Sequence, residues 1–375
     1  MPKRVLLIAT VQSHIGQFHK PLMRMLKEQG WEIHVAARNN LDEKNGLQLE
    51  YPDKIFDISL QRSPFDWRNL TAYRDLKHIL KYGRYDIIHC NTPVGGILGR
   101  LAAKPFRKQG TKVFYTAHGF HFYKGAPRIN WFVYYPIEKF MSRFTDKLIT
   151  ITEEDYALAE KKFHCPVCHI HGVGANSTKY YPISKREQEE QKKVHDLSGH
   201  IIVNVGELLP NKNQKTAIRV MKRVVDRLPD TTLLIAGNGP ERGRLEKLVK
   251  ELGLNDHVRF LGYTTSLQEY LQVCDLELCC SYREGLPLNV MEAMLCGKPV
   301  VASNNRGHRE LIHDGVNGYL VEPDDIEGYA KKICKLLQDA EISGDGILQS
   351  IAPFKDVRVQ KELKQIYLKN PETKK

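Results

Sequence analysis

The chain has 375 residues, of which 42% are apolar and 27% charged, and its formal net charge is +12. That length exceeds what one hydrophobic core fills, so two domains of ordinary size are expected in a composition typical of soluble globular proteins. No stretch reaches the roughly 20 apolar residues of a membrane span. No basic run interleaved with aromatics resembles a nucleic-acid module, so the charge points to phosphorylated small molecules, to an acidic membrane face, or to a merely solvated basic surface.

In chain order, Val5 to Ala9 is a buried strand, too short for a signal peptide and followed by polar Gln12-Ser13-His14. A helical pattern from Phe18 to Gln29 stops at Gly30, and Ile33 to Ala37 is the next strand. The strand–helix–strand unit recurs as Ile87 to Cys90, Gly95 to Lys108 and Val113 to Ala117, and Leu148 to Thr152 is a further strand. Lys185 to Lys193 is a run of charge and glutamine, readable as a solvated helix or a linker. The alternation then restarts: strand Ile201 to Val205, helix Thr216 to Arg227, strand Thr232 to Ala236 and helix Glu241 to Leu252. Three more strands follow, at Val258 to Leu261, Leu276 to Cys280 and Val300 to Ser303. A last helical pattern, about Val357 to Lys369, follows Pro353. Short apolar strands alternating with helices predict an α/β fold with parallel sheets covered on both faces. The expected organisation is a domain over 1–172, a linker region over 173–199, a second domain over 200–352, and a C-terminal helix and tail over 353–375. The eight cysteines are scattered through apolar stretches, as buried thiols are, and do not form a disulfide framework.

Ligands of open α/β sheets bind beyond the carboxyl ends of the strands. After the strand ending at Cys280 comes Ser281-Tyr282-Arg283-Glu284-Gly285-Leu286-Pro287-Leu288-Asn289-Val290-Met291-Glu292. Gly285 permits a sharp turn and Pro287 suits the first position of a helix. The free N–H groups of that helix suit a phosphate, and carboxylates before it and within it can accept hydrogen bonds from sugar or ribose hydroxyls. Either glutamate alone reads as a solvated side chain; together, around a Gly-Leu-Pro turn, they read as a site.

The Glu284-x7-Glu292 spacing, with Glu284-Gly285-Leu286-Pro287 leading to Glu292-Ala293-Met294, resembles the signature of family 4 glycosyltransferases. The resemblance implies the GT-B fold, two Rossmann-like domains facing across a cleft. It also implies retaining transfer from a nucleotide sugar held by the second domain, with no resident metal or other cofactor. Glu284 would contact the transferred sugar and Glu292 the ribose, with Gly285, Leu286, Leu288 and Asn289 completing the donor loop. Asn204-Val205-Gly206-Glu207-Leu208 followed by Lys212-Asn213 resembles the family's phosphate loop. Gly206 and Lys212 would face the diphosphate, with Lys215 as a substitute cation. The chain departs from the pattern at Glu207, where many members carry arginine. Gly237-Asn238-Gly239 resembles the family's turn near the nucleotide, and Leu261-Gly262-Tyr263 resembles the loop whose backbone reads the base. In the first domain, His118 would contact the donor sugar near the reacting carbon, and Gly16 resembles the glycine loop that admits the diphosphate. His14, Asn91, Thr92 and His121 are acceptor-side candidates.

The phrase Thr116-Ala117-His118-Gly119-Phe120-His121-Phe122-Tyr123-Lys124-Gly125 is similar to the family's bacterial capsule and exopolysaccharide enzymes. It implies a hexose-type donor on UDP and a lipid-diphosphate-linked saccharide acceptor, met at the cytoplasmic face of the membrane. The last helix would cross back to the first domain. The aromatic stretch from Arg128 to Arg143 reads either as a core helix interrupted by Pro136 or as a segment resting on an anionic lipid surface. A nucleotide-sugar epimerase of the same plan and a non-catalytic nucleotide-sugar-binding protein are the alternative functions. Cys165-Pro166-Val167-Cys168-His169 matches a haem attachment pattern, but without an export signal it reads as accidental.

Overall fold

The computed structural model describes residues 2–42, 47–339 and 342–368; the expected tail beyond residue 368 lies outside them. The chain forms two units. One runs up to Gly174 and resumes at Asp356, and the other is Ala175–Lys355.

In unit 1 the strands are β1 (Arg4–Val11), β2 (Glu32–Arg38), β3 (Lys54–Asp57), β4 (Ile87–Asn91), β5 (Lys112–Ala117), β6 (Lys147–Thr150) and β7 (Val167–His169). They pair in the order β3-β2-β1-β4-β5-β6-β7, every pairing parallel. Unit 2 holds β8 (His200–Val205), β9 (Thr231–Ala236), β10 (Val258–Gly262), β11 (Leu276–Cys279), β12 (Val300–Ser303) and β13 (Gly318–Val321). Their order is β10-β9-β8-β11-β12-β13, again parallel throughout. Both units therefore follow the doubly wound Rossmann order. Each has a switch point beside its first strand, where crossovers diverge to opposite faces and leave a crevice. The central strands are apolar along their length because helices cover both faces: residues 5–11 of β1 are all buried.

At the unit 1 switch point the helix Pro93–Arg107 packs close to the sheet. A Cβ on Gly96 would stand 2.6 Å from the Tyr115 ring, so only glycine permits this approach. One turn on, the buried Arg100 guanidinium lies 3.9 Å from the Tyr115 ring centroid and pairs with Glu138 at 2.8 Å. The Tyr115 hydroxyl also donates to Glu138. A buried ion pair holds only when its hydrogen bonds are made, and this one fastens the helix Arg128–Met141 to the sheet.

On that helix, Glu138 and Met141 are the buried residues, whereas Ile129, Phe132, Val133, Ile137 and Phe140 are exposed. The core-helix reading of the aromatic stretch holds for one face only: Met141 is buried and Trp131 and Tyr135 pack against the core beside the ion pair, while the other apolar side chains face outward. The 173–199 linker reading is corrected as well. Ser184 and Glu187 form a capping box that starts the helix Lys185–Val194, and Tyr180 and Leu197 are buried in the core of unit 2. The helix Asp356–Leu368 belongs to unit 1. There Tyr367 hydrogen-bonds His89 on β4, and Glu362 pairs with His171 at 2.8 Å. Among the described residues no helix is long and apolar enough to cross a membrane.

Candidate active site

In unit 2 the loops after β8, β9 and β11 converge. Asn213 adopts a left-handed conformation (φ 55°) and its amide donates to the carbonyls of Cys280 and Pro323. Asn211 accepts from the Tyr282 N–H and donates to the Arg283 carbonyl. These bonds stitch the loop carrying Lys212 to the loop carrying Glu284. The two side chains meet as an ion pair, Nζ to Oε1 2.7 Å, largely shielded from solvent. Burial depresses the Lys212 pKa, but the Glu284 carboxylate outweighs it and holds the ammonium above its ordinary range. Lysine has three N–H donors, so the Glu284 bond leaves two directions for a further anion.

The glycines of this region permit close approach of backbone to backbone. A Cβ on Gly237 would fall 2.0 Å from the Gly206 carbonyl oxygen, and one on Gly239 2.4 Å from that of Leu208. The Gly206 and Gly237 N–H groups donate in turn to Ala236 and Gly262, so the three strand ends form one layer. Asn238 and Tyr263 are exposed beside it. Glu207 is exposed too, and its carbonyl accepts from Gln214, which holds the loop. Lys215 is exposed on the first turn of the next helix.

Leu288 and Asn289 open the helix Leu288–Leu295, which has no side-chain cap on its first turn; Pro287 is its N-cap rather than its first residue. Leu286 and Leu288 pack on the core. The Asn289 amide donates to Glu277 Oε1 at 2.7 Å. Glu277, absent from the sequence reading, is fully buried on β11, and burial lifts its pKa to about 7. Glu292 is lifted to about 8, by burial first and then by Glu277, although a hydrogen bond from Tyr180 opposes the rise. His308 is a second residue the sequence did not reveal. It is fully buried after β12, its Nδ1 lies 2.8 Å from the Ser303 carbonyl, and burial lowers its pKa to about 4. Its neighbour Gly307 packs on the Glu284 loop, where a Cβ would reach 2.5 Å from the Gly285 carbonyl oxygen. A sequence signal for Glu277 did exist: a lone acid inside the apolar strand Leu276–Cys279.

In unit 1 the corresponding strand ends carry imidazoles. His14 lies in the helix Gln12–Phe18 after β1, His19 directly follows that helix, and His118 follows β5. Gly16, expected in a loop, is within the same helix, with Leu47 and Leu49 against its Cα. His121 is half-buried and stacks on Tyr134 at 4.7 Å. Asn91 is buried at the end of β4. Thr92 has φ 63°, unusual for a β-branched residue. Its hydroxyl holds it there, bonded to the Thr10 N–H at 3.0 Å and the Thr10 hydroxyl at 2.8 Å. Among the described residues, His14, His19 and His118 are the one group placed to share a metal ion. Cys165 and Cys168 do not join such a group, and all eight cysteines are free thiols.

Two Rossmann units with this loop-and-helix acidic site define a glycosyltransferase of the GT-B class, and comparison with known proteins agrees. The pattern of glycosyl transferases group 1 matches residues 185–345, and that of glycosyl transferase 4-like proteins matches residues 4–152. The chain belongs to this glycosyltransferase family. It is 42% identical to EpsD of Bacillus subtilis (strain 168), whose own glycosyltransferase assignment is provisional, over 98% of this chain and 97% of that one. It is 28% identical, over 72% of this chain and 73% of the relative, to an Escherichia coli enzyme. That relative is named UDP-Gal:alpha-D-GlcNAc-diphosphoundecaprenol alpha-1,3-galactosyltransferase. Among solved structures, Anabaena Alr3699/HepE in complex with UDP and glucose shares the fold. Its TM-score is 0.77 at 20% identity, covering 97% of this chain and 99% of that one.

Proposed function

We propose that the chain transfers a hexose-type sugar, with retention of configuration, from UDP to a lipid-diphosphate-linked saccharide in capsule or exopolysaccharide synthesis. The observation that carries this reading is the joined constellation of unit 2: the Lys212–Glu284 pair at 2.7 Å, with Asn289 and Glu292 on the helix that follows. Lys212 and the uncapped helix N-terminus offer positive potential to a diphosphate, which stabilises the charge that develops as the sugar leaves. Glu284 accepts from the transferred sugar and Glu292 from the ribose. Gly206, Gly237 and Gly239 let the nucleotide approach the backbone, beside Asn238 and Tyr263. In unit 1, His118 is assigned to the transferred sugar and Gly16 to the donor side, and His14, Asn91, Thr92 and His121 to the acceptor. The Escherichia coli relative supports a UDP-sugar donor and a lipid-diphosphate acceptor through its name, and the Anabaena structure supports UDP through its ligand.

A panel of nucleotide sugars, screened first by melting temperature and then with lipid-diphosphate-linked saccharides, tests this reading by mass and anomeric configuration of the product. Transfer from a UDP-hexose is the expected result. Interconversion of the free nucleotide sugar without acceptor would instead make the chain an epimerase, and binding without turnover would make it a non-catalytic binding protein.

Contact with the inner face of the membrane is the second part of the reading. The exposed apolar residues Ile129, Phe132, Val133, Ile137 and Phe140 recur at helical spacing, and Arg128 and Arg143 flank them. An apolar stripe with basic flanks suits an anionic bilayer. Flotation with acidic liposomes at low salt is expected to carry the protein, and Phe132→Asp to release it; no flotation of the unaltered chain would sink the idea.

A further inference from the structure

We propose that His14, His19 and His118 form a three-histidine binding site for a divalent transition metal ion of zinc's class. Their ligand nitrogens all lie within 4.8 Å of one another. The ring centroids are 4.5 Å apart for His14–His118, 5.2 Å for His19–His118 and 5.6 Å for His14–His19. Zn–N bonds of about 2.0–2.1 Å at tetrahedral angles would set such centroids about 5 Å apart, near the spacing of these rings.

A second, independent observation points to an occupant. Among the described residues, the Nε2 atoms of all three histidines are buried without a hydrogen-bond partner. His19 is only 5% exposed. Leaving a buried polar atom unsatisfied costs about 1–3 kcal/mol, and here three converge. With the proton of each neutral ring on Nδ1, one cation can accept all three Nε2 lone pairs.

The surroundings agree with a metal. Phe18 stands beside His14 and His118. His89 approaches His19 at 5.8 Å, but its own ring nitrogens are bonded to Tyr367 and Thr116, so it walls the site without ligating. Three imidazoles leave a tetrahedral ion one open position. If His118 also contacts the donor sugar, as proposed above, metal and donor compete for its Nε2, and the metal would inhibit transfer.

The test uses the full chain, stripped with a chelator and freed of it. Zn²⁺ is titrated against a chromophoric indicator, and Co²⁺ is followed by visible absorption. One equivalent should bind with the spectrum of a four-coordinate nitrogen site. His14→Gln and His19→Gln should each weaken binding by about 100-fold or more, as expected for a lost ligand. No binding by the folded chain would overturn the site, as would undiminished binding in both variants. Thiolate charge-transfer bands in the near ultraviolet would also overturn it, by placing the metal on cysteines, and the spectrum of the unaltered chain decides the matter even if a variant fails to fold. Transfer by a chain that binds no metal would defeat this inference alone, whereas metal binding by a chain that shows no transfer even when metal-free would defeat only the proposed enzymatic function.

Discussion

The two units share one strand order but carry opposite chemistry at their switch points. Unit 1 presents neutral imidazoles on β1 and β5 ends, supported by a buried Arg100–Glu138 pair. Unit 2 presents carboxylates and a lysine on stitched loops, with buried Glu277 beneath. In a common scaffold, then, function lies in the short segments after the strands. Each unit supports its segments in its own way: an ion pair behind the sheet in unit 1, and backbone packing against glycine in unit 2.

The sharpest way to break this comparison is to remove the ionic support of unit 1. Arg100→Ala leaves Glu138 buried and unpaired and should cost about 3–5 kcal/mol, read as a lowered denaturation midpoint. A loss under 1 kcal/mol would show that the pair is dispensable. In unit 2, Glu284→Gln and Glu292→Gln should each lower transfer by about 100-fold or more, the scale of a lost transition-state contact, with the melting curve close to that of the unaltered chain. Unchanged rates in both would remove the site assignment.

Glu277→Gln separates the two supports by pH. The folded pKa of about 7 lies above the ordinary carboxylate value. Glu277 therefore carries no penalty below about pH 4 and destabilises the fold increasingly as pH rises through 7. The glutamine variant should match the unaltered chain near pH 4 and exceed it at alkaline pH by about 1–3 kcal/mol, the scale of a few pKa units. An equal difference at both pH values would contradict the buried-carboxylate reading. The smallest expected effect is that of Tyr180→Phe. Losing the hydroxyl that opposes the rise at Glu292 should cost about 0.5–1.5 kcal/mol and move the Glu292 titration upward, measurable by carboxylate NMR.

Much of the fold was legible because central strands buried on both faces must be apolar runs. Every strand expected from such a run is present, within a residue or two at its ends. The strands that escaped notice were β3, β7 and β13. β3 is exposed along most of its length and β7 is three half-buried residues, so neither carries the apolar signal. β13 opens on Gly318, a poor strand former tolerated because a Cβ there would meet the Val300 carbonyl at 2.1 Å.

The Glu284 to Glu292 loop and helix stood out because the turn chemistry and the acids adjoin in sequence. His19 and His308 did not, because what makes them notable is burial against distant segments; Glu277 left only the trace of a lone acid in an apolar strand. The placement of Gly16 failed for a related reason: polar Gln12-Ser13-His14 read as a loop, yet Gln12 and Ser13 are buried within a helix.

The return of helix Asp356–Leu368 to unit 1 sets an order of assembly. Unit 2 is one continuous stretch of chain and can finish folding during synthesis, whereas unit 1 waits for Tyr367 to reach His89 and Glu362 to reach His171. Domains generally fold as units, the N-terminal one first, but here the first unit to emerge from the ribosome is the last to be completed. Until then the buried His89 on β4 lacks its phenol partner.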